Sequence, residues 1–144
     1  MKILFDTSVL VAAMIEAHPM HEAALPWLQQ VSDQSETGLV AAHSIAELYA
    51  VLTTLPVRPQ IPSSIAYRLI QQNVLNSCEI VSLSKEDYIA VIDHLSESGI
   101  VGGVTYDALI LHAALKADAD RVLTLNVGDF QRIYSDLADR IVSP

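Results

Sequence analysis

Apolar residues in this chain fall into two patterns: short, nearly unbroken runs, and longer stretches in which they recur every three or four positions. The short segments are Ile3-Leu4-Phe5, Leu39-Val40-Ala41-Ala42, Glu79 to Leu83, Arg121 to Leu125 and Ile141-Val142. Each predicts a short strand, and the absence of strict polar–apolar alternation predicts strands covered on both faces. Helical segments lie between them. Val9 to Ile15 predicts an apolar helix stopped by His18 and Pro19, and His21 to about Val31 predicts a second. The polar stretch Ser32 to Gly38 reads as a loop. Ser44 opens a helix to about Leu55, with Ile45, Leu48 and Leu52 at helical spacing. Pro56 to Pro62 carries three prolines and reads as a loop. Helical patterning resumes from Ile65 to Leu75. Ser84 caps a helix from Lys85 to about Glu97, with Glu86 and Asp87 in its first turn. Gly99, Gly102 and Gly103 mark a turn before a helix from Tyr106 to Ala117.

Strands that alternate with helices in this way predict an α/β fold with a parallel sheet covered on both faces. The 144 residues, without internal repeats, read as one domain spanning positions 1–144.

Composition adds to this picture. Half the chain is apolar (51%) and the mean hydropathy is +0.36. That exceeds what a soluble monomer needs, so some surface is expected to be covered by another chain. Cys78 is the lone cysteine and cannot form an internal disulfide. It reads as a small apolar core residue in a reducing compartment. No apolar run approaches the roughly 20 residues of a membrane span, and Asp6 interrupts the one stretch that resembles a signal sequence. A soluble, cytoplasmic protein is expected.

Eight basic against 17 acidic residues give a net charge of −9. This excludes a protein that grips nucleic acid with a broad basic face, because such affinity comes from neutralising phosphates. Nucleic-acid chemistry on this chain has to work through bound cations and a few local basic residues.

Ligands of open parallel sheets bind outside the carboxyl ends of the strands. Asp6 directly follows the first predicted strand, Glu47 lies one turn into the helix after the second, and Asn126 follows the fourth, with Asp129 three residues on. Asp107 opens the helix after the glycine-rich turn. Carboxylates sharing one cleft repel each other unless cations bind or some acids are protonated. Their hard oxygens suit magnesium or manganese, and two such ions roughly 4 Å apart support phosphodiester hydrolysis. Taken singly, each residue has a bland reading. Ser44-Ile45-Ala46-Glu47 has the form of a capping box, in which Glu47 only caps its own helix. Asp107 can serve as a favourable charge at a helix start, and Asn126 and Asp129 as turn or cap residues. Asp6 is hardest to dismiss, because a carboxylate between two strongly apolar segments is costly without partners.

Four motifs in order carry a family resemblance: Asp6-Thr7-Ser8, Ser44-Ile45-Ala46-Glu47, Thr105-Tyr106-Asp107-Ala108-Leu109-Ile110 and Leu123-Thr124-Leu125-Asn126-Val127-Gly128-Asp129-Phe130. The chain resembles the PIN-domain family, and in length its VapC-like toxins. The resemblance implies a three-layer α/β/α PIN-like fold with a central parallel sheet. It implies a Mg2+- or Mn2+-dependent endoribonuclease, the toxin of a VapBC-like toxin–antitoxin module, that hydrolyses RNA to 5′-phosphate and 3′-hydroxyl ends. Asp6, Glu47 and Asp107 would be the core metal ligands. Asn126 or Asp129 would complete the site, with Asp129 supplying charge because the family often has aspartate where Asn126 stands. Ser8 and Thr124 occupy positions where the family places hydroxyls that support the carboxylates. The implied partners are RNA, a cognate DNA-binding antitoxin that closes the site, and a second copy of the chain.

Other polar residues read as structural. His18, His21 and Glu22 form a solvated turn, since Pro19 breaks the helix that would align them as ligands. His43 and His112 read as structural, His94 as exposed helix surface, and Asp118 and Asp120 as a solvated turn. Arg58 in the proline loop and Arg68 on the next helix are candidates for contact with RNA phosphates. Tyr106 neighbours a ligand but is read as packing. Three rivals remain in view. A signalling receiver domain would need an aspartate after the third strand and a lysine after the fifth, where this chain has Leu83-Ser84 and Ser143-Pro144. A non-catalytic PIN-like scaffold draws support from Asn126. A phosphatase or nuclease acting on DNA would be separated by comparing substrates.

Overall fold

The chain builds a five-stranded, all-parallel sheet in the order β3-β2-β1-β4-β5. The computed structural model describes residues 1–144. Its strands are β1 (Lys2–Phe5), β2 (Thr37–Ala41), β3 (Cys78–Val81), β4 (Arg121–Leu123) and β5 (Ile141–Val142). The helices are α1 (Thr7–Met14), α2 (His21–Ser32), α3 (Ala42–Thr54), α4 (Ser63–Ile70), α5 (Lys85–Ser98), α6 (Val104–Lys116) and α7 (Val127–Gln131). A π-helical turn, Gln71–Leu75, extends α4, and a 3-10 turn, Ser135–Arg140, precedes β5.

Strand β1 is central. Leu4 pairs with Leu39 on one side and with Val122 on the other. Successive strand side chains point to opposite faces, so Ile3 and Phe5 enter one core and Leu4 the other. The first core packs the sheet against α1, α2, α3 and α4 through Leu10, Leu28, Leu48 and Ile70. The second packs it against α5, α6 and α7 through Leu95, Leu111 and Phe130. This is the expected three-layer arrangement. Gly38 sits where β2 passes under α2. A Cβ there would lie 2.6 Å from Val31 Cγ1 and 2.8 Å from Cys78 Sγ. Cys78 itself packs against the first core, and burial pushes its thiol up to about 11.

Several element bounds differ from the sequence reading. Strand β2 begins at Thr37, inside the predicted loop, because it pairs with β1 from Lys2 onward. Helix α3 starts at Ala42 rather than Ser44. The chain turns directly from β2 into the helix, so Ser44 is an interior residue with a buried Oγ that has no partner. Ser44-Ile45-Ala46-Glu47 is therefore not a capping box, and Glu47 is not occupied in capping. The true capping box is at α5: Asp87 N–H donates to Ser84 Oγ at 3.1 Å and Ser84 N–H to Asp87 Oδ2 at 2.8 Å. Helix α6 starts at Val104, which places Asp107 at the end of its first turn rather than at its opening. Helix α7 and the 3-10 turn were not anticipated. No helix is long and apolar enough to cross a membrane.

Candidate active site

The carboxyl ends of the parallel strands form one edge of the sheet, and Asp6 leaves that edge directly after β1. Its backbone N–H donates to the carbonyl of Leu123 at 2.9 Å, which ties it to β4. Its side chain is buried. Ser8 Oγ and Thr124 Oγ1 both donate to Asp6 Oδ2, at 2.7 and 2.8 Å. The two hydroxyls are themselves fixed. Leu125 N–H donates to Ser8 Oγ at 3.2 Å and Asn126 N–H to Thr124 Oγ1 at 3.0 Å. Ser8 and Thr124 thus hold Asp6 through one oxygen, Oδ2.

A cleft of about 410 Å³ opens at this edge. Asp6, Thr7, Ser8, Glu47, Asp107 and Asn126 line its polar part, and Val11, Val51, Leu55 and Leu125 its apolar part. The structure therefore brings together Asp6, Glu47, Asp107, Asn126 and Ser8 from four separate stretches of chain. Thr124 lies directly beneath, through its bond to Asp6. Asp129 is not in the lining. It is exposed, and Arg132 Nη2 donates to its Oδ1 at 2.5 Å.

Electrostatics in the cleft follow from burial and like charge. Desolvation raises the Asp6 carboxyl, with a further push from Glu47, while its hydrogen bonds act in the opposite direction. Asp107 is pushed up to about 7, first by burial and then by the charges of Asp6, Asp129 and Glu47. Asp129 thus acts on the site through its charge although it faces Arg132. No lysine or arginine lines the cleft to relieve this repulsion.

The donor set fits hard divalent cations. It consists of carboxylate and amide oxygens, with no thiolate. Thr7 Oγ1, buried in the same lining, has no partner among protein atoms. The acids face a common space without closing into a preformed cage, since no three His, Cys, Asp or Glu side chains converge on one point. Bound cations would draw them inward.

Several residues differ from their sequence reading. His18 lies in a half-exposed turn, as read, but it also lines the cleft, and its Nδ1 accepts from Met20 N–H at 3.0 Å. His21 is also engaged, through Nδ1–H and the carbonyl of Ala12 at 2.9 Å. His94 packs rather than projecting. Its Nε2–H donates to the Ile133 carbonyl at 2.6 Å and its ring stacks on Tyr134 at 4.3 Å. Asp120 accepts from the backbone N–H of Lys2 at 2.7 Å. His112 is structural, donating to Asp87 Oδ1 at 3.0 Å. Arg68 is exposed on α4, outside the cleft. Arg58 lines a neighbouring concavity that shares Leu55 with the cleft. The role of His18 had a faint signal in the sequence. A helix of eight residues is only about 12 Å long, so the turn after α1 stays within reach of Asp6 at its start.

The fold is an all-parallel α/β sheet with acids gathered at its carboxyl edge, where ligands of such sheets bind. The chain is a member of the PIN-domain family: the sequence profile of the PIN domain matches residues 3–135. It is 35% identical over 119 residues to Ribonuclease VapC40 of Mycobacterium tuberculosis, covering 83% of this chain and 82% of that protein. To Ribonuclease VapC27 of the same organism it is 30% identical over 115 residues, covering 80% and 78%. Among solved structures it resembles a chain of VapBC2 from Rickettsia felis, a complex bound to a DNA fragment from its promoter. The TM-score is 0.66 at 19% identity, covering 100% of this chain and 98% of that one.

Proposed function

We propose that this protein is a metal-dependent endoribonuclease, the toxin of a VapBC-like toxin–antitoxin module, acting as one domain in the cytoplasm. The observation that carries the reading is the crowding of Asp6, Glu47 and Asp107 in a cleft that holds no cationic partner, with Asp107 pushed up to about 7. Asp6, Glu47 and Asp107 are the residues that would hold Mg2+ or Mn2+, with Asn126 completing the set and Asp129 adding charge from outside. Bound there, the cations would supply positive charge for a phosphate and the acidity that makes a water nucleophilic, the chemistry of a hydrolysis that leaves 5′-phosphate and 3′-hydroxyl ends. The protein's part is orientation. Ser8 and Thr124 hold Asp6 in place, and Val11, Val51 and Leu55 give the cleft an apolar wall.

This reading accommodates the net charge of −9, because site-bound cations supply the local positive charge that the sequence lacks. It also accommodates the surplus apolar surface. Ile45, Tyr49, Tyr67, Ile70 and Leu75 line an apolar concavity between α3 and α4. Tyr88, Ile89 and Ile92 form a second exposed patch on α5. Two such surfaces suit a second copy of the chain and an amphipathic antitoxin segment. The relatives named as ribonucleases, and the toxin–antitoxin complex among its structural neighbours, support the same reading. The test is direct. Purified protein is expected to cut RNA with manganese, to stop on chelation, and to lose activity as Asp6→Asn. Cleavage without metal, or an active Asp6→Asn protein, would overturn the proposal.

A further inference from the structure

Among the side chains that line the acidic cleft, one is neither acidic, amide, hydroxyl nor aliphatic. It is His18, in the turn between α1 and α2. That turn is pinned at several points. His18 N–H donates to the carbonyl of Ile15 at 2.9 Å, and the carbonyl of His18 accepts from His21 N–H at 3.0 Å. His21 is anchored in turn to the carbonyl of Ala12. The ring of His18 is fixed as well, since Nδ1 accepts from Met20 N–H at 3.0 Å. A nitrogen that accepts a backbone N–H carries no hydrogen of its own, so the ring hydrogen is on Nε2. Nε2 makes no hydrogen bond within the protein and is not among the enclosed polar atoms that lack a partner. The turn therefore presents a tautomerically fixed N–H donor at the rim of a cleft whose remaining charge is negative.

Resting on the ribonuclease reading above, we infer that His18 is a substrate-contacting residue, whose Nε2–H donates to a phosphate oxygen of the RNA strand lying in the cleft. The chemistry of the lining favours this assignment. Cations held by the carboxylates can neutralise one side of a phosphodiester. A strand on an acidic protein still needs a donor from the protein for an oxygen that faces away from them, and no lysine or arginine lines the cleft to give it. The hydroxyl of Ser8 is committed to Asp6, and that of Thr7, though unpartnered, is enclosed. His18 shares the lining with the apolar side chains of Val11, Val51 and Leu55, and a hydrogen bond to a charged oxygen is stronger than one between neutral groups.

The experiment compares wild type with His18→Ala, His18→Gln and His18→Phe, using a fluorescent single-stranded RNA in manganese and Mn2+ alone in calorimetry. His18→Ala is expected to raise KM for RNA roughly tenfold, the scale of one lost hydrogen bond to a charged group. Its kcat should change less, and its affinity for Mn2+ should be unchanged. His18→Gln should recover most of the loss, because its amide N–H can reach the same oxygen, and His18→Phe should not. An unchanged KM in His18→Ala would overturn the inference. So would rescue by phenylalanine, which would mean ring stacking, or a parallel loss of Mn2+ affinity, which would mean a structural role. Wild-type protein that failed to cut RNA would remove the ribonuclease reading itself, whereas active wild type with an equally active His18→Ala removes only the role of His18.

Discussion

Thr124 donates its hydroxyl hydrogen to Asp6 Oδ2 at 2.8 Å, across a separation of 118 residues. The bond joins the end of β4 to the end of β1 and fixes the carboxylate most deeply set in the cleft. Ser8 engages the same oxygen. Outer partners of metal-binding carboxylates commonly govern affinity or activity by roughly 10–100-fold. Thr124→Ala and Ser8→Ala are therefore expected to weaken Mn2+ binding and RNA cleavage on that scale, with Thr124→Ser near wild type. Calorimetric titration of the metal checks this.

The acids of the cleft also set a pH dependence. Asp107 is held near 7 in the folded chain against an ordinary value of 3.8, and Asp6 is shifted in the same direction. Groups whose folded values are raised contribute stability that is fully present below the unfolded value and lost as pH rises through the folded one. Metal-free protein is thus expected to lose stability between about pH 4 and pH 7, as read by thermal melting. Asp107→Asn should flatten this decline, and Mn2+ at pH 7.5 should reverse it.

Asn126 and Asp129 make separable predictions. Asn126 lines the cleft, whereas Asp129 is exposed and paired with Arg132. Removing the charge of Asp129 relieves Asp107 without removing an oxygen from the lining. Asp129→Asn is expected to lower cleavage by no more than about tenfold, equivalent to about 1.4 kcal/mol of barrier. Asp107→Asn is expected to abolish it. Parallel rates on one RNA substrate decide the matter.

Gly38 tests the packing beneath β2. Adding a methyl group there forces Val31 and Cys78 aside from contacts of 2.6 and 2.8 Å. Gly38→Ala is expected to cost about 1–3 kcal/mol of stability by overpacking, measured by denaturant unfolding. Cleavage below the unfolding range should be preserved, since Gly38 does not line the cleft.

The class of the fold was legible because buried parallel strands such as Ile3-Leu4-Phe5 leave unbroken apolar runs that few other structures produce. The approach of Asp6 and Glu47 was legible as well, because strand ends in such sheets share one edge, whereas Asp107 lies on α6, which follows another helix, and only the motif resemblance pointed to it. The start of α3 was not legible. Ser44 and Glu47 have the spacing of a capping box, and only the direct passage from β2 into the helix at Ala42 shows that Ser44 lies inside it. Helix α7 is five residues long and too short for a periodic signal. The histidines were misread for a common reason. His94 depends on Ile133, 39 residues along the chain, and the place of His18 in the cleft depends on how its turn folds back toward Asp6, about both of which local spacing is silent.

The sheet separates two helical layers, and the cleft draws on both. Glu47 comes from α3 in one layer and Asp107 from α6 in the other. Whatever occupies the space between them acts as a rivet through the seam of the molecule. Loading the site should therefore slow amide exchange in α3 and α6 together, although the two helices belong to separate cores.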